Sequence, residues 1–309
     1  MVKTRHGLLL AAIIGSLAGS LAVSASPAYA YVRITTDTGL PLWWRSPCIT
    51  MEIYLGAPPP TMTADQYFNA SQLAAQAWSH GSLDCSGLAL SIQRESAATA
   101  GAGLDGKNVI IFLSDNWCKD SNATDGPCYP KNALAVTSDF KNDKTGEIGD
   151  ADIEFNAVYV DWADLVANPT LANSTTADFQ NTLTHELGHV IGLAHPCYSA
   201  NDGTPVLKDN YGNDEFTCGK ADVPLTVMES TMYPSLPMND TQRRTLSPDD
   251  QQGVCDIYPF TSATCPASSS QGCAIGGQAS GRPSQTWPLG LFASVVLLFA
   301  TFAYRRSRF

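Results

Sequence analysis

Positive charge and histidine are both scarce in this chain. Its 309 residues include 18 Lys or Arg and five His, against 29 Asp or Glu, for a formal net charge of −11. So few basic residues argue against nucleic acid as a partner, because binding to nucleic acid depends on neutralising phosphates. Hydrophobic residues make up 44% of the chain, which excludes a disordered protein and predicts a real core.

Acidic residues are missing from both ends of the chain. Residues 1–30 and 273–309 contain six of the basic residues and no Asp or Glu, which leaves a formal charge of −17 on the part between them. This acidity mostly favours solubility.

The first thirty residues have the pattern of a secretory signal peptide. Lys3 and Arg5 precede an uncharged apolar run over residues 8–23, and Ala28 and Ala30 form a small-x-small cleavage site. We therefore expect export, with a mature chain that begins at Tyr31. The alternative is an uncleaved membrane anchor.

The other end predicts a linker and a membrane segment. Residues 261–286 are rich in Ser, Gly, Ala and Gln, as flexible linkers are. The 18 residues 287–304 carry no charge and precede an arginine-rich end. Such a run can just span a bilayer, with the arginines on the cytoplasmic side. A buried core helix is the alternative.

Nine cysteines indicate a disulfide framework in an exported chain. Eight of them lie between Cys48 and Cys265, and Cys273 stands apart. Proximity in the sequence suggests three pairs and leaves a fourth: Cys118–Cys128, Cys197–Cys218, Cys255–Cys265 and Cys48–Cys85. Sequence alone does not fix this connectivity.

Apolar patterning predicts strands and helices on both sides of the histidine-rich segment. The expected elements are strands over 48–56, 88–95 and 108–115, a helix over 63–80, and a hairpin joining 133–140 to 147–156. A second helix is expected to begin at Ser174 to Thr176, with Asp178 in its first turn. In the last helix, Ser247 is the expected cap and Asp250 completes a capping box.

Three of the five histidines lie in the stretch "HELGHVIGLAH". His185 and His189 are four residues apart, so a helix places both on one face, where they can bind one Zn²⁺. His195 can join them only if the chain turns sharply, and Gly192 stands where helices end in the left-handed conformation. Three histidines leave one zinc position open, and Glu186 can act as the general base.

Two other interpretations of this stretch stay open. The histidines could belong to a core helix, although three His, one Glu and one Gly at these offsets rarely arise by chance. A structural zinc site closed by a fourth ligand, Cys197, is the second interpretation.

The same stretch, followed by "STMYPS", resembles the metzincin zinc peptidases and, within them, the matrixins. Met232 matches the family's Met-turn, and "LSPDDQQGVCDIYP" resembles the matrixin C-terminal helix. The resemblance covers residues 31–260. It implies an α+β fold with a twisted five-strand mixed sheet, an active-site helix, a C-terminal helix and a small lower subdomain. It also implies hydrolysis of peptide bonds in proteins.

The resemblance also implies where a substrate would bind. An edge strand that contains Leu134 and Ala135 would pair with the backbone of an extended substrate. The segment after the Met-turn, with Tyr233, Pro234 and Leu236, would form the wall of a side-chain pocket.

Several features depart from the matrixin pattern. The "PRCGxPD" propeptide switch is absent, and the histidines of the family's second, structural zinc have no counterparts. The segment between His195 and Met232 is longer than usual. It contains acidic residues that could hold Ca²⁺, although they lack calcium-loop spacing: Asp202, Asp209, Asp214 and Glu215.

The tail resembles the Myxo-CTERM sorting signal, since Cys273 follows Gly272 and precedes the apolar run and its arginines. The resemblance implies processing near Cys273 and display at the surface of a Gram-negative bacterium. Alternatively, the segment stays as a membrane anchor.

These patterns predict an exported, monomeric zinc endopeptidase that acts on proteins or peptides. Two alternatives remain. The chain could be a non-catalytic surface binding protein on the same fold, which the presence of Glu186 disfavours. It could also be a zinc amidase that acts on cell-wall material.

Overall fold

The structure, a computed structural model, describes residues 31–95, 101–119, 128–199, 208–260, Cys265 and the backbone of Ser294–Leu297. The predicted signal peptide lies outside these residues, as does the predicted linker except for Cys265. Among the described residues, the α-helices are α1 (Ala64–Trp78), α2 (Phe179–Val190), α3 (Leu225–Met228) and α4 (Pro248–Ile257). The strands are β1 (Val32–Arg33), β2 (Trp43–Trp44), β3 (Cys48–Tyr54), β4 (Ala89–Glu95), β5 (Asn108–Leu113), β6 (Ala135–Lys141), β7 (Glu147–Asn156), β8 (Asp161–Ala163), β9 (Thr176–Asp178), β10 (Leu193–Ala194), β11 (Cys197–Tyr198), β12 (Phe216–Thr217) and β13 (Ser294–Leu297).

One mixed, mostly parallel sheet organises the chain. Its strand order is β13-β6-β7-β5-β3-β4, and β2 also pairs with β7. The pairs β7–β5, β5–β3 and β3–β4 are parallel, whereas β6 is antiparallel to β7. The five strands expected from the sequence are all in this sheet, and β2 and β13 add to them. This mixed sheet with its helices is compatible with the expected α+β fold.

The core lies between the sheet and the two long helices. Trp78 near the end of α1 is fully buried, and its indole N–H donates to the carbonyl of Thr184 in α2 at 2.8 Å. Phe179, at the start of α2, packs against Phe112 and Phe155 of the sheet with ring centroids 5.8 and 5.2 Å away. These contacts hold α2 against the sheet and so fix the position of the histidine segment.

The start of α2 differs from the expectation. The helix is capped by Asp178 rather than by a hydroxyl at 174–176, because Thr176–Asp178 is already paired with Asp161–Ala163 as a strand. One carboxylate oxygen of Asp178 accepts from the backbone N–H of Asn181 at 2.8 Å. The other accepts from the N–H of Leu165, also at 2.8 Å. The expected start of the helix, with its cap at 174–176, was therefore two to four residues too early.

The predicted membrane segment is described only in part. Within 287–304, the structure describes the backbone of Ser294–Leu297, which forms a strand rather than a helix. This strand lies antiparallel to β6, with Leu297 opposite Val136 and Ser294 opposite Asp139. No helix among the described residues is long and apolar enough to cross a membrane.

Two of the four expected disulfides are confirmed and two are wrong. Cys118 is bonded to Cys128 and Cys197 to Cys218, as their proximity in the sequence suggested. The observed partners of the remaining cysteines are Cys85–Cys255 and Cys48–Cys265, not Cys255–Cys265 and Cys48–Cys85.

The physical reason is the return of the chain after α4 to the beginning of β4. The N–H of Phe260 donates to the carbonyl of Cys85 at 2.8 Å, and the N–H of Gly87 donates to the carbonyl of Tyr258, also at 2.8 Å. Because β3 begins at Cys48, opposite Ala89 of β4, all four cysteines meet at one end of the sheet. Proximity in the sequence therefore could not decide between the pairings.

We expect peptide mapping of the non-reduced protein to recover Cys48 linked to Cys265 and Cys85 linked to Cys255. A reduced and alkylated sample serves as the control, since its linked peptides should disappear. Recovery of Cys48 linked to Cys85 would contradict this end of the fold.

Candidate metal centre

His185 and His189 lie on one face of α2, and both side chains are fully buried. The helix ends at Val190, and the chain then turns back at Gly192. This glycine has a φ of 95°, and its N–H donates to the carbonyl of His189 at 2.8 Å. The turn carries the chain into β10, directly before His195. The predicted role of Gly192 in ending the helix is confirmed.

The three histidines meet at their Nε2 atoms. The Nε2 of His185 lies 3.1 Å from that of His189 and 3.2 Å from that of His195, and the last two are 3.1 Å apart. The Nδ1–H of His185 donates to the carbonyl of Thr231, and the Nδ1–H of His189 donates to that of Leu193, both at 2.7 Å. A carbonyl can only accept, so both rings carry their proton on Nδ1 and a lone pair on Nε2.

Burial keeps these rings neutral. It lowers the pKa of His189 to about 4 and holds the pKa of both His185 and His195 well below the usual range. Neutral imidazole is the form that binds metals.

The residues fit one zinc ion. Lone pairs on neighbouring buried nitrogens repel one another unless a cation lies between them, and an ion about 2 Å from each nitrogen suits the observed spacing. These three residues can hold a metal ion together. Cys197 is bonded to Cys218, so the closed site with a cysteine ligand is not formed.

Glu186 is fully buried beside the histidines. Its Oε2 accepts a hydrogen bond of 2.6 Å from the hydroxyl of Thr137 in β6, whereas its Oε1 has no partner among the described residues. Burial raises the pKa of Glu186 to about 8, the Thr137 hydroxyl opposes this rise, and nearby Asp139 adds to it. A divalent cation at the histidines would favour the ionised form.

Met232 packs against α2 at Gly188, and its role in a Met-turn stays a prediction. It is 1% exposed, and a Cβ placed on Gly188 would come within 2.2 Å of its sulfur. Gly188 is therefore required for the close approach of Met232 to α2. A glycine inside the helix, between the two histidines, is visible in the sequence and could have indicated a close approach of another segment at this position.

Asp250 supports the same turn, in a role that differs from the expected capping box. Ser247 does cap α4, but the carboxylate of Asp250 accepts from the N–H of Thr231 at 2.6 Å and from the Ser247 hydroxyl at 2.5 Å. Since the carbonyl of Thr231 accepts from His185, hydrogen bonds connect α4 to the histidine.

Arg243 was not found by sequence reasoning. Its guanidinium donates to the carbonyls of Met228, Ser230 and Ser235 at 3.0–3.2 Å, and so holds the chain on both sides of Met232. Arg243 is 7% exposed and belongs to the 3₁₀ turn Gln242–Arg244. A basic residue in a polar segment gives no signal in the sequence for such a role.

The predicted substrate-binding residues do not all line open space. Leu134 and Ala135 are buried, and Leu236 lies in the main core. Tyr233 packs in a smaller cluster that contains Cys197. Pro234 lines an open cavity of about 990 Å³, which His195 also borders. Their predicted roles in binding substrate remain predictions.

The acidic residues expected to be able to hold Ca²⁺ are only partly described. Asp202 lies outside the described residues. Asp209 accepts hydrogen bonds within its own turn, from Tyr211 and Asn213, and Asp214 pairs with Lys208. Burial, with Asp209 nearby, raises the pKa of Glu215 to about 7. A calcium site in this segment remains a prediction.

A comparison with known proteins finds similarity to a metallopeptidase over a short stretch of the chain. The chain is 44% identical over 55 residues to "Metallopeptidase AprA" of Pseudomonas marginalis. The match covers 16% of this chain and 12% of that relative. No protein-family model matches the chain. The similarity thus supports a relationship to a metallopeptidase at most.

We expect Gly192→Ala to damage both stability and metal binding. A Cβ at this position would lie 2.7 Å from the carbonyl oxygen of Leu42, in addition to the cost of a positive φ. The expected loss is at least about 2 kcal/mol in the free energy of unfolding, measured by urea denaturation, with weaker zinc binding in a titration.

Gly81→Ala is the matched control, since φ is 103° there and no atom lies within 4 Å of the added Cβ. It should cost about 1 kcal/mol and leave zinc binding intact. Equal effects of the two substitutions would contradict the role of the turn.

Proposed function

We propose that this protein is an exported zinc endopeptidase of the metzincin type, similar to the matrixins, that hydrolyses peptide bonds of proteins. The observation that carries the proposal is the convergence of three neutral histidine nitrogens within 3.2 Å, two of them on fully buried side chains, beside a glutamate with one oxygen that has no partner among the described residues. The turn at Gly192, the methionine packed against Gly188 and the short similarity to a metallopeptidase support the same proposal.

In this proposal His185, His189 and His195 hold the zinc ion. Zinc, when bound, would supply Lewis acidity that polarises the substrate carbonyl and makes water a better nucleophile. Glu186 is the general base. Its Oε1 accepts a proton from the attacking water and then delivers it to the nitrogen of the leaving amine.

The β6 edge is the proposed site for the substrate backbone. Its capacity to accept a strand is supported by Ser294–Leu297, which pairs there in the antiparallel direction. A substrate that pairs along Val136–Asp139 would have to take the place of this segment. Pro234, in the wall of the cavity next to His195, is the residue of the predicted pocket best placed to contact a substrate side chain.

Export is supported by four disulfides, because such bonds persist in oxidising compartments. We place the protein outside the cytoplasm or on the cell surface, with processing of the tail near Cys273. N-terminal sequencing of the purified protein tests this location. A sequence that begins at Tyr31 would show cleavage after Ala30 and support export.

The decisive experiment compares the wild-type protein with Glu186→Ala. We expect about one zinc per chain in both, because the glutamate is not one of the three ligands. Cleavage of an unfolded protein substrate should fall by at least about 10²-fold in the variant, since the general base is lost.

Glu95→Ala serves as the matched control, because Glu95 lies at the end of β4, the strand at the opposite edge of the sheet from β6 and β13. It should keep wild-type activity. Zinc binding without proteolysis in the wild type would favour a surface binding protein. Release of stem peptides from cell-wall material, without cleavage of proteins, would favour an amidase.

A further inference from the structure

The hydroxyl of Thr137 makes a direct contact with the glutamate of the metal centre. Thr137 lies in β6, and its Oγ1 is 2.6 Å from Oε2 of Glu186 and 3.3 Å from the backbone carbonyl of the same residue. Both residues are fully buried. A hydroxyl has a single proton, so the short contact to the carboxylate is its main hydrogen bond.

This contact makes the two carboxylate oxygens of Glu186 unequal. Oε2 accepts the proton of the hydroxyl, while Oε1 is buried and has no partner among the described residues. A carboxylate held by one oxygen cannot rotate freely about its last bond. The hydrogen bond therefore fixes the plane of the group and leaves Oε1 as the oxygen that can take up a proton.

We propose that Thr137 is the positioning residue for the general base, with its hydroxyl orienting Glu186 so that Oε1 is reserved for proton transfer. This inference rests on the function proposed above. It adds a residue that neither the histidine motif nor the Met-turn contains.

The position of Thr137 also couples the base to the proposed substrate edge. The backbone of Thr137 is opposite Val296 in the pairing of β6 with β13, while its side chain reaches Glu186. A peptide that pairs along β6 would therefore contact the same residue that orients the base. Correct backbone pairing and correct orientation of the carboxylate then depend on one residue.

The first test removes the hydroxyl without changing the shape of the side chain. We expect Thr137→Val to lower kcat for a peptide substrate by about 10- to 100-fold, as for loss of a hydrogen bond to a charged group. KM should change less than about twofold, and zinc content should stay the same, because the backbone of β6 and the histidines are untouched. Thr137→Ser keeps a hydroxyl and should recover most of the lost kcat.

A control tests whether loss of any hydrogen-bonded threonine hydroxyl in the sheet has this effect. Thr50 in β3 shares a hydrogen bond of 3.0 Å with the hydroxyl of Ser91 and lies away from the metal centre. Thr50→Val should leave kcat unchanged. If Thr137→Val does not fold, Thr137→Ala is compared with Thr137→Ser, and the serine variant must be the more active of the two.

The second test does not depend on activity. A double-mutant cycle combines Thr137→Val with Glu186→Ala and follows urea unfolding in the presence of a zinc chelator. If the two side chains did not interact, the two single changes in the unfolding equilibrium constant would multiply to give the change in the double variant. Because they interact directly, we expect the double variant to differ from this product by about tenfold. Additive effects would overturn the contact.

The outcomes separate this inference from the proposed function. If Glu186→Ala abolishes proteolysis but Thr137→Val retains wild-type kcat, the endopeptidase stands and the role of Thr137 is overturned. An equal loss in the valine and serine variants would also overturn it, because it would show a packing effect. Absence of proteolysis in the wild type would overturn the proposed function, and the positioning role with it, even if the cycle showed coupling.

Discussion

Two hydrogen bonds from histidine to backbone carbonyls determine the chemistry of the metal centre. The carbonyl of Thr231 holds the proton of His185 on Nδ1, and that of Leu193 does the same for His189. Without these acceptors the buried rings could protonate Nε2, the atom that must face the metal. Both acceptors belong to segments outside the helix that carries the two histidines. The site thus depends on how the segment around Thr231 and the chain after Gly192 are held.

The segment that carries the Thr231 carbonyl is held by residues from the last part of the domain. Asp250 in α4 binds the N–H of Thr231, and Arg243 binds three carbonyls on either side of Met232. Asp250 is buried, and burial raises its pKa, an effect opposed by the hydrogen bonds that it accepts. Burying these two charged groups costs free energy, which is consistent with a structure built to keep the segment around Met232 in place.

The sequence predicted the features that local rules control. The five strands follow from apolar patterning. The placement of His185 and His189 on one face follows from helical geometry, and the end of the helix follows from the position of Gly192. The start of α2 was misplaced because a short strand, β9, competes with the helix for Thr176–Asp178. Two disulfides were mispaired, and Arg243 and Thr137 were overlooked, since each depends on segments far apart in the chain. Such contacts leave no periodic pattern in a single sequence.

The disulfide between Cys48 and Cys265 makes the effect of a protease depend on where it cuts the chain beyond α4, before Cys265 or after it. A cut between α4 and Cys265 would release nothing, because Cys255 and Cys265 stay bonded to the body of the protein. A cut between Cys265 and Ser294 would break the covalent link of Ser294–Leu297 to the body of the protein. Departure of that segment would leave the N–H and C=O groups along one side of β6 open for pairing. One peptide bond broken there would thus change the edge of the sheet while every disulfide remained intact.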